Sequence, residues 1–125
     1  MNVPANLKYT NEHEWLSLEG DVATIGITEF AQKELGDIVF VEIETEGQSL
    51  EANEVFGTVE AVKTVSDLYL PIAGTVIEVN QNLAGAPESV NSDPYGEGWM
   101  VIVKVNNVAD VEALLDAAAY ENLIG

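Results

Sequence analysis

Alternation of hydrophobic and polar residues along the first half of the chain predicts β-strands. Two such segments, His13–Leu18 and Val22–Ile27, flank Glu19–Asp21, which contains a central glycine. This arrangement is typical of a β-hairpin near the N-terminus. The segment Ile38–Glu44 begins as an apolar run and then alternates, so the pattern predicts a third strand there.

A short helix is predicted between the hairpin and the third strand. Thr28 is a residue type that caps helix N-termini, and the following Glu29 suits the positive end of the helix dipole. Apolar residues, Leu35 among them, give this segment one hydrophobic side. Gly36 is a typical helix end, so the helix is expected to stop there.

Four more β-rich stretches make the body of the chain mainly β. They are Val55–Val62, Leu68–Ile72, Thr75–Val79 and Trp99–Val105. In the last stretch both faces are largely apolar, because Val101 and Val103 lie on one face and Met100 lies on the other. Such a strand belongs inside a sandwich or flattened barrel, so a sandwich core is predicted over about residues 22–105.

After residue 107 the spacing of apolar residues changes to that of a helix. Val111, Leu114, Leu115 and Ala118 recur at helical intervals. This pattern predicts a C-terminal helix, over about residues 108–122, that docks on the sandwich. A chain of 125 residues fits one domain of this kind, so residues 1–125 are predicted to form a single domain.

The chain also contains a faint internal repeat. Gly36–Val41 resembles Gly74–Val79, and Gly57–Lys63 resembles Gly98–Lys104. If the two matches share an origin, the halves form a quasi-twofold sandwich. Two short β-rich matches at unequal spacing also arise by chance, so both explanations stay open.

The charge of the chain excludes several kinds of partner. The sequence holds 22 acidic residues against four lysines and no arginine, and its formal net charge is −18. A nucleic-acid partner is not expected, because phosphate contacts need clustered Lys and Arg. The same deficit of cations disfavours binding to an anionic membrane.

The residue types that are missing narrow the chemistry and the compartment. Cysteine is absent, which excludes disulfides, thiolate metal ligands and a cysteine nucleophile. No apolar run approaches the roughly 20 residues that span a bilayer. The segment Met1–Thr10 has neither a basic start nor a hydrophobic stretch. We therefore expect a cytoplasmic protein, or a mitochondrial matrix protein if a presequence has been removed.

The chain reversal after Val62 lacks the residues that turns normally use. Val62–Val65 contains no Gly, Asn or Pro. At its tip Lys63 is expected to hold its amine out in water, on a backbone stiffened by β-branched neighbours. One interpretation is a rigid turn that presents the lysine amine to a modifying enzyme. The other is an ordinary lysine in a type I turn, paired weakly with Glu60 or Asp67.

No catalytic constellation is found elsewhere in the chain. His13 is the only histidine, so we expect a packed or surface histidine and no multi-histidine metal site. The acidic pair Glu42 and Glu44 alternates on one strand face and is typical of a solvated face. Nucleophile elbows, phosphate-binding loops and zinc or calcium spacings are all absent. We therefore expect a protein that is not an enzyme.

Many short segments together make the chain resemble the H proteins of the glycine cleavage system almost end to end. These segments are Leu7–Thr10, His13–Leu16, Ile25–Thr28, Leu35–Val41, Val59–Lys63, Ser66–Asp67, Pro71–Gly74, Val90–Asn91, Asp93–Gly96, Gly98–Trp99 and Tyr120–Glu121. Two residues depart from the family pattern, since Ala61 and Thr64 stand where the family commonly has Ser and Ala. Both changes are small, and we expect the attaching enzyme to accept the turn.

The resemblance implies a fold, a cofactor and a set of partners. The implied fold is mainly β: the lipoyl-carrier (barrel-sandwich hybrid) sandwich of two small antiparallel sheets, with Lys63 at a hairpin tip carrying lipoic acid in amide linkage. The implied function is non-catalytic transport of the aminomethyl group of glycine by a monomer. The implied partners are the pyridoxal-phosphate glycine decarboxylase (P protein), the tetrahydrofolate-dependent aminomethyltransferase (T protein), dihydrolipoamide dehydrogenase (L protein), and a lipoate ligase or lipoyl-synthesis enzymes.

The resemblance also implies roles for residues near this lysine. The attaching enzyme is expected to recognise the turn through Glu60, Val62, Thr64 and Asp67. Glu14 and Asp67 are expected as polar contacts in a surface cleft that holds the loaded arm. Folding the arm against carboxylates and apolar surface would pair its amine and exclude water.

Three other functions stay open. Some H-like proteins serve lipoate relay or roles outside glycine cleavage. A lipoyl or biotinyl domain of another complex usually carries Asp-Lys-Ala or Met-Lys-Met where this chain has Val62–Thr64, and it lacks the His13–Trp15 hairpin. An unmodified β-sandwich interaction module would leave Lys63 bare.

Overall fold

Nine short strands form two antiparallel sheets in the computed structural model, which describes residues 1–125. The strands are β1 (Lys8–Tyr9), β2 (Glu14–Glu19), β3 (Val22–Ile27), β4 (Ile38–Glu42), β5 (Ser49–Leu50), β6 (Val55–Ala61), β7 (Val65–Tyr69), β8 (Gly74–Val79) and β9 (Val101–Val105). The larger sheet has the order β1-β2-β3-β9-β8-β5, and the smaller sheet has the order β4-β6-β7. The mainly β prediction is confirmed.

The helices are short and lie at the ends and edges of the sheets. They are α1 (Glu29–Leu35), α2 (Ser89–Ser92) and α3 (Ala117–Ile124), with 3-10 helices at Gln81–Ala84 and Val108–Ala113. Thr28 caps α1 as predicted, because its side-chain oxygen accepts the Ala31 N–H at 3.2 Å. Gly36 ends α1 with a φ of +83°, which a glycine adopts without strain. None of the helices has the length and apolar character needed to cross a bilayer.

The main core lies between the two sheets. Most of its 21 buried residues come from the two sheets, for example Ile25 and Val101 from the larger sheet and Val59 and Leu68 from the smaller. These side chains are at most 2% exposed. Each sheet therefore buries one face against the other, which is the packing predicted for a β-sandwich.

A second, smaller core attaches the C-terminal segment. It consists of Leu7, Tyr9, Trp15 and Tyr120. The rings of Tyr9 and Tyr120 stack with centroids 4.7 Å apart. The C-terminal helix therefore docks on the β1–β2 corner of the larger sheet.

Most predicted strands shift by one or two residues at an end, and two predicted elements differ more from the structure. The helix predicted over residues 108–122 is two helices, because Leu114 is extended and Leu115 pairs with Tyr9 through two backbone hydrogen bonds. The strand predicted at Leu68–Ile72 is β7, which lies earlier, at Val65–Tyr69. Its pairing with β6 sets this register, and Pro71, which has no N–H to donate, follows the end of the ladder.

The two halves of the internal repeat form similar strand pairs. β4 pairs with β6, and β8 pairs with β9, all antiparallel. Each pair has a register irregularity at the matching place, around Val39 in one and around Ile77 in the other. Both of these residues are about half exposed, at 48% and 47%. The repeat therefore corresponds to one strand pair in each sheet.

Candidate functional site

The tip of the β6–β7 hairpin carries Lys63, as the sequence predicted. The turn is closed by the Ala61 N–H, which donates to the Thr64 oxygen at 2.7 Å. No residue of the turn has a positive φ. The turn therefore has no need of the glycine or asparagine that primed hairpin turns require, which explains how β-branched residues occupy it.

The amine of Lys63 is exposed and has no acidic partner. The single salt bridge of the protein joins Lys104 to Asp21 at 3.0 Å. Glu60 and Asp67 are both exposed and neither forms an ion pair with Lys63. The weak pairing that an ordinary surface lysine would show at this position is therefore absent.

The stem of Lys63 lies across Gly36, a contact that the sequence did not predict. A β-carbon placed on Gly36 would be 3.4 Å from Cε of Lys63 and 3.9 Å from its Nζ. The outer half of the Lys63 side chain therefore packs against the end of α1 and does not extend straight out from the turn. The sequence does show a helix-ending glycine at position 36. That this glycine lies close to Lys63 depends on the pairing of β4 with β6, which the sequence did not reveal.

Exposed apolar side chains surround the hairpin tip on the outer face of the smaller sheet. Val62 and Val65 are 75% and 62% exposed, and Phe40 is 47% exposed. Glu60 pairs with Phe40 on one side and with Val65 on the other. Glu60 is thus a single carboxylate within an apolar row beside the lysine, and the exposed Thr64 follows the lysine in the turn.

A cleft of about 180 Å³ opens beside this hairpin, between α1 and the strands β2 and β7. Eleven residues line it, including Glu14, Leu35, Ser66 and Asp67. The structure therefore brings together Glu14 and Asp67, the two carboxylates that were predicted to share a cleft. Leu35 and Ser66 connect this cleft to Gly36 and to the hairpin tip, respectively.

Glu14 lies at the buried side of the cleft. Its side chain is 2% exposed, one oxygen accepts the Thr10 hydroxyl at 2.6 Å, and the other accepts the Tyr69 N–H at 3.2 Å. Burial raises the pKa of Glu14 to about 7, although these two hydrogen bonds act in the opposite direction. Asp67 also lines the cleft and is exposed. The cleft thus combines one carboxyl that titrates near neutrality with one that faces water.

His13 has a structural role next to the cleft. Its Nδ1 lies 2.8 Å from the Tyr120 hydroxyl, which also lies 2.8 Å from the Thr28 hydroxyl. Burial lowers the pKa of His13, against the raising effect of nearby carboxylates. The residue adopts a φ of +69° at the start of β2. It therefore ties the C-terminal helix to α1, in agreement with the expectation of a packed histidine.

The structure holds no cluster of three or more side chains suited to a metal ion. The acidic pair Glu42 and Glu44 lies close together in and just after β4, and the pKa of Glu42 is raised, chiefly by its hydrogen bond to Glu44. Glu42 is exposed. This pair is therefore a solvated face, as predicted.

Comparison with known proteins agrees with the fold. The family model for the glycine cleavage H-protein matches residues 7–125. The glycine cleavage system H protein of Bacteroides fragilis is 62% identical over 124 residues, which cover 99% of this chain and 98% of that protein. The H protein of Chlorobium phaeovibrioides is 59% identical over 127 residues, covering 100% and 99%.

A solved structure is similar over the same extent. The crystal structure of a glycine cleavage system H protein from Mycobacterium marinum superposes with a TM-score of 0.88 at 38% identity, covering 98% of each chain. The match in sequence and the match in structure both span nearly the whole molecule. The chain therefore belongs to the glycine cleavage H-protein family.

Proposed function

We propose that Lys63 is the attachment site for lipoic acid, and that the chain acts through residues 1–125 as one lipoyl-carrier domain of the glycine cleavage system. The observation that carries this proposal is the state of Lys63 itself. Its amine lies at the tip of a stiff hairpin, is exposed, and has no ion-pair partner. An enzyme that forms an amide there would break no salt bridge.

The residues of the hairpin fit a lipoyl group. The bare backbone of Gly36 leaves room along the lysine stem, which an amide-linked arm would extend. A bound lipoyl group would supply a disulfide that takes up the aminomethyl unit of glycine and is left as a dithiol when that unit is passed on, chemistry that a chain without cysteine lacks. The protein contributes position and shielding, and we propose that it is a carrier and not an enzyme.

The enzyme that attaches lipoate would recognise the surface around the hairpin tip. Val62 and Thr64 flank the amine within the turn, and Glu60 and Asp67 place carboxylates on the two strands below it. A partner with a basic rim around an apolar centre would complement this surface. Attachment removes one positive charge, so the formal net charge changes from −18 to −19.

The cleft beside the hairpin would hold the loaded end of the arm. Asp67 would pair with its amine at the exposed wall, and Glu14 would lie behind it. We expect Asp67→Ala and Glu14→Ala to speed the spontaneous loss of the aminomethyl group, followed by intact mass. Glu19→Ala, at the exposed end of β2, is the matched control and should not change the decay. Unchanged decay in both cleft variants would reject this assignment.

The partners follow from the carrier role. We propose that the chain exchanges its load between the decarboxylase and the aminomethyltransferase, and that dihydrolipoamide dehydrogenase reoxidises its arm. The large negative charge would steer the chain towards basic surfaces near those active sites, since surface charge raises encounter rates more than final affinity. A carrier that must bind and leave three partners benefits from this combination.

The test of the proposed function uses the exchange of labelled bicarbonate into glycine, catalysed by the decarboxylase with the lipoylated protein. The wild-type chain and Lys104→Arg should support this exchange, because Lys104 lies within β9 and pairs with Asp21. Lys63→Arg keeps the charge but has no amine to acylate, and we expect it to be inactive. Undiminished exchange with Lys63→Arg would overturn the proposal.

A further inference from the structure

Gly36 lies directly beneath the side chain of Lys63, although the two are 27 positions apart in the sequence. We propose that Gly36 is a positioning residue: its backbone forms a saddle for the lysine stem, and Asn91 holds that saddle in place. The saddle is defined as Gly36 and Asp37. This inference rests on the proposed function, because it concerns the direction in which the modified side chain leaves the hairpin.

The contact involves the outer half of the lysine. A β-carbon on Gly36 would lie 3.4 Å from Cε, 3.9 Å from Cδ and 3.9 Å from Nζ of Lys63. These are ordinary van der Waals distances, so an alanine methyl would touch the stem without displacing it, although the φ of +83° would strain any residue that has a side chain. A longer side chain at position 36 would need the space that the stem occupies. The saddle therefore requires a residue without a long side chain at this place.

The saddle is fixed by a side chain from a distant part of the chain. Asn91, in α2, donates from Nδ2 to the Gly36 oxygen at 2.9 Å and to Oε1 of Gln32 at 2.8 Å. Its Oδ1 accepts the Ile38 N–H at 2.9 Å. The backbone on both sides of Asp37 is thus held by one amide, which uses both of its donor hydrogens and its acceptor.

The same backbone segment also holds the hairpin tip. The oxygen of Asp37 accepts the Val62 N–H at 3.1 Å. Val62 is the residue directly before Lys63. Asn91, the saddle and the hairpin tip therefore form one continuous hydrogen-bonded arrangement, and the lysine stem lies within it.

The saddle directly follows a residue that lines the cleft. Leu35, the residue before Gly36, lines that cleft together with Asp67. A stem that rests on Gly36 therefore lies at the end of α1, one residue from the cleft lining. Restricting the stem in advance reduces the conformational entropy that is lost when the amine is acylated or the arm docks.

The test compares two glycines that have nearly the same φ. Gly47 has a φ of +86°, against +83° for Gly36, but a β-carbon there would meet nothing within 4 Å. Gly36→Asn and Gly47→Asn introduce the same uncharged side chain at nearly the same positive φ, so strain from φ is common to both variants and the contact with Lys63 is not. Asn91→Asp is the second variant, since it keeps the acceptor for Ile38 but removes the donor to Gly36.

The first readout is independent of lipoate. In unmodified protein with carbon-13-labelled lysines, we expect a nuclear Overhauser effect between the ε-protons of Lys63 and the α-protons of Gly36. Gly36→Asn should move the Lys63 ε-resonances towards those of a free lysine, while those of Lys8, Lys33 and Lys104 stay in place. Gly47→Asn should preserve both the contact and the Lys63 resonances.

The second readout is the kinetics of lipoylation by a lipoate ligase, followed by intact mass. We expect Gly36→Asn and Asn91→Asp to lower kcat about tenfold with KM little changed, because the recognised surface remains but the amine is displaced. Gly47→Asn should match the wild type. If Gly36→Asn behaves like Gly47→Asn in both readouts, the saddle is overturned and the proposed function stands. A wild-type chain that is never acylated at Lys63 overturns the proposed function. In that case the nuclear Overhauser effect by itself tests whether the Lys63 stem rests on the saddle.

Discussion

Lys63 and Lys104 occupy equivalent places in the two halves of the internal repeat, yet their surroundings differ completely. Lys104 lies within β9, opposite Val22, and pairs with Asp21 at 3.0 Å. Lys63 lies two residues beyond the end of β6, has no ion pair, and rests on Gly36. Two loosely similar local sequences thus give a strand lysine in one sheet and a free amine at a turn in the other.

The difference shows that strand termination decides the chemistry of the lysine. β9 continues past Lys104 because β3 and β8 pair with it on both sides. β6 ends at Ala61, where the Thr64 carbonyl closes the turn and the Asp37 carbonyl binds the next N–H. A lysine inside a ladder is fixed by neighbouring strands, whereas one at the tip is available to another protein.

The largest effect is expected when the lysine is moved by one place within the turn. In the double variant Val62→Lys with Lys63→Val, composition and charge are unchanged, but the amine no longer lies over Gly36. Misplacement of a reacting group by about an ångström costs on the order of 100-fold in rate, and we expect lipoylation to slow by that factor. The rate is measured by intact mass with a lipoate ligase. A rate equal to that of Lys104→Arg would show that the position of the amine is unimportant.

The two regions can also be compared through the pH dependence of the unfolding free energy. One carboxyl is taken from each: Glu14 from the cleft beside the Lys63 hairpin, and Asp21 beside Lys104. The pKa of Glu14 is raised to about 7 in the folded state, so the folded state retains the proton between the ordinary carboxyl pKa and neutrality. The stabilising contribution is complete below about pH 4.5 and is lost as the pH rises through about 7, a total of about 3 kcal/mol.

Glu14→Gln should remove this part of the pH dependence of the unfolding free energy, measured by urea denaturation between pH 4.5 and 8. Asp21→Asn, beside Lys104, is the matched control because Asp21 is exposed, with 53% of its side chain accessible. The control should retain the dependence of the wild type. Parallel curves for Glu14→Gln and the wild type would contradict the burial argument.

Charges in the two regions should contribute unequally to the salt dependence of the transfer rate. Steering by a protein of net charge −18 is screened by salt, so transfer rates in the reconstituted system should fall about tenfold from low salt to physiological salt. Glu60→Gln with Asp67→Asn should weaken this dependence more than Glu78→Gln in β8 does. Flat salt dependence of the wild type would contradict electrostatic steering.

The smallest effect is expected at the surface salt bridge. Lys104 and Asp21 are each about half exposed, and such pairs contribute about 0–1 kcal/mol. Asp21→Ala should therefore change the unfolding free energy by less than about 1 kcal/mol and leave the lipoylation rate of Lys63 unchanged. A slower lipoylation rate in this variant would show that the two regions are coupled.

The sequence predicted those features that depend on neighbouring residues. Thr28 and Gly36 mark the ends of α1 because capping acts within one turn of helix. The turn at Lys63 was identified because β-branched residues stood where turn formers were expected. The shared cleft of Glu14 and Asp67 was implied by family resemblance, and the structure places both residues in it.

The features that sequence reasoning missed depend on residues far apart in the chain. The contact between Gly36 and Lys63, and its support by Asn91, follow from the pairing of β4 with β6 and from the placement of α2. The split of the C-terminal helix follows from the pairing of Leu115 with Tyr9. No local pattern encodes these long-range contacts.

The most direct test of the account is peptide mass spectrometry of the protein purified from its native host. The account predicts the mass increment of a lipoyl group on Lys63 and on no other lysine, which leaves Lys8, Lys33 and Lys104 bare. A Lys63 that is unmodified in every molecule, or a lipoyl group on Lys104, would contradict the account.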